Sequence, residues 1–248
     1  MHRDLEVYEA ALPASPEKEG PSGAGFLREL QFRIIDMATL LTKFRALGST
    51  FSPFYPTEHD LQVYKRLTEE LGAPPNAHIC RFLGAEGQHL VFLGDSGTRE
   101  WARVQRLAAQ RWPGLPHPGL VARDGKTMDS LPERIVYDML QGLLRRHMKL
   151  DVHQPILQQA GDYRADMTLR KGKASLFIEV VGCCGSDRIT RNQKEQEWLQ
   201  RFDKRMAFYR AHAIAPVCIW LDQFAQPGTL RKLCINLVDA IALEGARS

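Results

Sequence analysis

The stretch that decides the fold reads Arg164-Ala165-Asp166-Met167-Thr168-Leu169, Lys171-Gly172-Lys173, then Ser175-Leu176-Phe177-Ile178-Glu179-Val180-Val181. Two strand-like runs flank a glycine-centred turn, the pattern of a β-hairpin. Adjacent antiparallel strands bring Asp166 and Glu179 side by side on one face. Glu179 interrupts an otherwise apolar run, and a carboxylate there is costly unless something pairs with it or coordinates it. Two arrangements meet that need. A hard divalent cation with oxygen ligands, Mg²⁺ in a cell with Mn²⁺ as a substitute, suits two facing carboxylates. Alternatively Glu179 pairs with a buried Arg or Lys, and Asp166 with a turn donor.

Working upstream, Asp124-Gly125 is a turn signal between short extended segments. Ser130 opens a helix along which Ile135, Met139 and Leu143 align. Glu133 stands three residues after Ser130, the spacing of a capping box, and can also bring a third carboxylate towards the sheet. A strand is expected over residues 152–157. Downstream, a helix over 193–212, a strand over 216–221 and a helix over 229–243 complete the order α-β-β-β-α-β-α. That order predicts an α/β domain with a mixed central sheet.

The first half reads differently. Residues 1–24, with Pro13, Pro16, Pro21 and several Ser and Gly, form a leader without an apolar signal core. Residues 25–118 are mainly helical: one amphipathic helix over 25–47, a second starting at Thr57 and stopped by Gly72-Ala73-Pro74-Pro75, a short one over 76–82, and a fourth over 98–112. Gly114-Leu115-Pro116-His117-Pro118-Gly119 is the natural linker, so the α/β domain is expected over 119–248.

Composition narrows the class. The chain is 44% hydrophobic and 25% charged, ordinary for a globular protein with a sizeable core. No apolar run approaches membrane-spanning length. Five cysteines without a CxxC pair favour neither a disulfide framework nor a zinc site, and place the chain in a reducing, cytoplasmic compartment. The net charge is +4, and its positive excess sits after Asp124. There is no Walker loop, no glycine-rich phosphate fingerprint and no nucleophile elbow.

A helix with Glu133, a strand with Asp166, a tight turn, a strand with Glu179, a helix and a further strand together resemble the PD-(D/E)XK nuclease core of phage, mobile-element and homing-type endonucleases. The resemblance spans about residues 120–225 and rests on order and spacing. It implies a restriction-endonuclease-like fold in which Glu133, Asp166, Glu179 and the carbonyl of Val180 hold Mg²⁺ beside a scissile phosphate. The family usually carries a lysine two residues after the strand glutamate; here that position is Val181. Some members carry it on the following helix, which makes Lys204 the expected substitute, with Lys194 behind it and Arg201 and Arg205 on phosphate. The helix, tight turn and short helix over residues 61–84 resemble the small helical DNA-binding repeats of some homing-type nucleases, which would send the second helix, with His78 and Arg81, into the major groove.

The resemblance thus implies a metal-dependent endonuclease acting on double-stranded DNA, alone, as a homodimer or with a complex partner. The alternative is an inactive DNA-binding module, or a subunit of a transposition or defence complex, with Val181 marking lost catalysis.

Overall fold

The computed structural model describes residues 54–157 and 163–244; the leader and the helix expected over 25–47 lie outside them. Helix α1, Glu58–Leu71, starts where Thr57 and Asp60 cap each other reciprocally. It stops at Gly72, whose φ of 73° is the left-handed conformation that glycine adopts at least cost. Helix α2, Ala77–Cys80, runs through a 3₁₀ segment, Arg81–Gly87, into α3, Gln88–Asp95, and then α4, Thr98–Arg111. The sequence reading leaves α3 unassigned, because eight residues containing Gly94 show no usable periodicity. Gly94 has a packing role: a Cβ there would collide with the Ala77 side chain of α2.

The linker segment is held down rather than loose. Arg134 of α5, Leu131–Gln141, donates through Nη1 to the carbonyls of His117 at 2.9 Å and Gly119 at 2.7 Å. Before α5, the Asp124-Gly125 turn is closed by a bridge between Val121 and Thr127.

The four-stranded sheet has the order β1-β2-β3-β4, with β1 at Met148–Pro155, β2 at Arg164–Lys171, β3 at Ala174–Val181 and β4 at Val217–Trp220. The first three strands are antiparallel neighbours, and β4 lies parallel to β3. A parallel neighbour needs a crossover, which α6, Gln193–Ala211, supplies. Helices α7, Leu221–Phe224, and α8, Pro227–Glu244, follow. Among the described residues, no helix is long and apolar enough to cross a membrane.

Strand alternation gives the sheet two unlike faces. Met167, Leu169, Ile178, Val180 and Ile219 enter the main core with Ile135 and Leu140 of α5 and Ile241 of α8. The same core continues into Leu67 and Leu71 of α1, so the helical segment and the sheet share apolar packing. The opposite face meets α6, where Val181 packs with Phe202 and Phe177 with Tyr209. Asp166 and Glu179 belong to this second face.

A buried ion pair ties the helical segment to the start of α6. Arg81 Nη1 lies 3.1 Å from Glu195 Oε1, and Arg81 Nη2 donates to the Cys183 carbonyl at 2.9 Å. Burial pushes the Glu195 carboxyl up, but His78, the Arg191 N–H and Arg81 outweigh it and hold the group below its usual range. A depressed carboxylate stabilises above its unfolded value and loses that contribution as pH falls through the folded one. Glu195→Ala is therefore expected to cost about 3 kcal/mol at pH 7 in urea melts, because it strands a buried guanidinium. The gap to the parent should narrow as pH falls below the ordinary carboxylate value of 4.5 and the parent's Glu195 also protonates; a gap independent of pH would contradict this account.

Candidate metal and phosphate site

Three elements bring carboxylates to one end of the sheet. Asp166 on β2 and Glu179 on β3 continue the pairing that sets Met167 opposite Ile178. Both are buried, Glu179 completely. Glu133 joins them from the first turn of α5, where Ser130 caps the helix by accepting from the Glu133 N–H. The Glu133 carboxylate accepts in turn from Ser130 Oγ at 2.8 Å and from the Asp129 N–H at 3.3 Å. The capping spacing thus orients the side chain without removing it from the site.

Each oxygen of the strand pair has a protein contact. Asp166 Oδ2 accepts from the Val180 N–H at 2.7 Å, and Glu179 Oε1 accepts from the Tyr209 hydroxyl at 2.6 Å. Arg205 spans the other two, with Nη1 3.0 Å from Asp166 Oδ1 and Nη2 2.9 Å from Glu179 Oε2. The Glu179 contact is a close ion pair whose geometry falls short of a hydrogen bond, which leaves Oε2 a buried acceptor without a donor.

The electrostatics record the crowding. Burial, then Asp166, push Glu179 up to about 8 against the pull of Arg205 and Tyr209. Burial also raises Asp166 although Arg205 and the Val180 N–H oppose it, and burial with Asp166 raises Glu133. One guanidinium does not satisfy three acids; a second positive charge would let all of them ionise.

His153 completes the arrangement. It stands on β1 beside Asp166, between the pairs Val152–Met167 and Gln154–Ala165. Its φ of 52° is unusual for a residue other than glycine. Its Nε2 lies 3.3 Å from Glu133 Oε2 and 3.5 Å from Asp129 Oδ2. Asp129, Glu133 and His153 can present ligand atoms within 4.8 Å of one another.

The other expected site residues divide sharply. Lys204 is exposed and sits one residue before Arg205, about 100° around the helix from the face that carries Arg205 and Tyr209. The cation that meets both strand carboxylates is Arg205, which the sequence reading had placed on phosphate. Val180 meets the site through its N–H. Arg201 is exposed on α6 and lines a cleft with Arg205. Lys194 lies over the Trp198 ring, with its ammonium 5.0 Å from the ring centre. Arg81 is buried against Glu195, and His78 Nδ1 is 3.6 Å from the same carboxylate. This corrects the groove-reading expectation for Arg81, whose guanidinium is held inside the fold. Cys183 and Cys184 are free and buried, consistent with packing residues.

Sequence reasoning missed His153 and Tyr209 as partners of the carboxylates, and Arg205 as their counter-ion. Comparison with protein-family models, curated proteins and solved structures finds no match to this chain.

Proposed function

We propose that this chain is a divalent-metal-dependent nuclease of the PD-(D/E)XK type that hydrolyses phosphodiester bonds in DNA. One observation carries the reading: Glu133, Asp166 and Glu179 come from three elements to one end of the sheet, where Asp166 raises the proton affinity of both glutamates. Such a cluster of oxygen donors fits Mg²⁺ or Mn²⁺ better than a soft metal. When bound, the ion would polarise a phosphoryl oxygen and acidify a coordinated water.

The chain's own groups supply orientation. The Val180 N–H and the Tyr209 hydroxyl fix Asp166 and Glu179 in rotation. Ser130 and the Asp129 N–H do the same for Glu133, whose Oε2 lies 3.3 Å from His153 Nε2. Arg205 takes the part first assigned to Lys204: released from the carboxylates, its fork can hold a non-bridging phosphate oxygen.

The test is nicking of supercoiled plasmid by purified protein with Mg²⁺ or Mn²⁺, stopped by EDTA. Lys204→Ala should cut at nearly the parental rate and lower the salt dependence of binding by at most about one phosphate contact. A loss on the order of 10²-fold would return Lys204 to the catalytic role.

A second reading is favoured by Arg205 itself. Because it already answers both strand carboxylates, the site could be a static ion pair in a DNA-binding module, with Val181 at the usual lysine position. On that reading added Mn²⁺ leaves the melting temperature unchanged and plasmid stays intact.

A further inference from the structure

The face of α6 that carries Arg205 continues as Trp198, Arg201 and Phe202, spaced so that all four side chains share one side of the helix. With Tyr163 and Arg164 at the start of β2 they line a cleft of about 440 Å³. Three arginines and three aromatic rings line it, with no acid among the described residues. Two of the rings are open to solvent, Trp198 at 43% and Tyr163 at 37%.

Both rings have a neighbour. Tyr163 stacks on Phe208 with centroids 4.7 Å apart, and Lys194 covers Trp198. At the cleft's inner end, Arg205 reaches Asp166 and Glu179. Exposed flat rings beside Arg164 and Arg201, whose guanidinium groups meet no acid among the described residues, match a polynucleotide whose bases are free to stack and whose phosphates are accessible. A duplex hides the base faces, so it could use the arginines and not the rings.

We propose that this cleft binds a single-stranded stretch of nucleic acid and leads it to the carboxylates. The inference rests on the nuclease reading for what happens at the inner end, but the binding needs no metal and no cleavage. In EDTA, fluorescence anisotropy should show a labelled oligothymidylate of about twenty nucleotides binding tighter than a blunt duplex of equal length. An oligouridylate arm decides whether the sugar matters, and tighter binding of either strand than of duplex sustains the proposal. Trp198→Ala should weaken single-strand binding about tenfold, within the range for loss of one base–ring stack, and leave the duplex nearly unaffected. Trp198→Phe should restore most of the loss. Arg201→Ala should weaken both ligands and lower the salt slope by about one.

Single strand bound no tighter than duplex, or an alanine variant that folds by circular dichroism and binds like the parent, would overturn the proposal. Binding without nicking in Mg²⁺ would remove the nuclease reading and leave the cleft. Nicking without single-strand preference would do the reverse.

Discussion

Asp166→Asn and Glu179→Gln are each expected to reduce plasmid cleavage by roughly 10³-fold or more, the loss of several kcal/mol of charge stabilisation at the reacting phosphate. The conservative amides keep shape and remove charge, so folding should survive. Glu179→Gln makes a second forecast of opposite sign. The folded protein holds this proton up to about pH 8, whereas the unfolded chain releases it near the ordinary carboxylate value of 4.5. Between those values the unfolded state binds fewer protons, so the parent loses stability as pH rises, and the penalty is complete above about 8. Metal-free Glu179→Gln should therefore be more stable than the parent at pH 8.5, on the order of 2 kcal/mol, with no advantage near pH 5. Thermal melts in EDTA measure this. Mg²⁺ should raise the melting temperature of the parent and not of the variant, because only a ligand that prefers the folded state stabilises it. A variant that is less stable at every pH would mean that Glu179 is a structural partner of Arg205 and Tyr209.

The hairpin was legible because its signals were local. Glycine at Gly172 (φ 57°) marks the turn, period-two alternation marks the strands, and a lone acid in an apolar run marks the site. Glu133 was legible through its cap, since Ser130 fixes both the helix start and the distance to the acid. What the sequence concealed came from long-range packing. Helical spacing puts Lys204 and Arg205 on one helix, but which of them faces the sheet depends on how α6 settles on it. That is decided by apolar residues such as Phe202 and Tyr209, which are buried with the sheet. His153 was hidden for another reason: its site geometry depends on a positive φ that no neighbouring residue announces. Arg81 was misplaced because a basic residue on a short helix reads as a solvated surface, and its partner Glu195 lies 114 positions away.

Arg205→Ala should change metal binding and catalysis in opposite directions. In the metal-free fold the guanidinium lies 3.0 Å from Asp166 and 2.9 Å from Glu179, the two oxygens a divalent ion would take. Like charges cannot share that space, so on the metal-site reading an ion and Arg205 would compete, and ion binding would include the cost of displacing the side chain. Removing the side chain abolishes that cost. Mg²⁺ or Mn²⁺ affinity, measured by titration calorimetry, should then tighten by about tenfold, equivalent to about 1.4 kcal/mol. On the nuclease reading, cleavage at saturating metal should nevertheless fall by about 10²-fold, because the displaced guanidinium would be the donor for charge developing on phosphorus. The loss should appear in kcat more than in KM, as for an interaction made mainly in the transition state. Arg205→Lys should recover some of the rate, since an ammonium carries the charge without the bidentate fork. Each outcome separates two roles. Weaker metal binding in the alanine variant would show that Arg205 holds the carboxylates in place for the ion. Unchanged cleavage with tighter metal binding would reduce it to a plug that leaves the site when the ion enters.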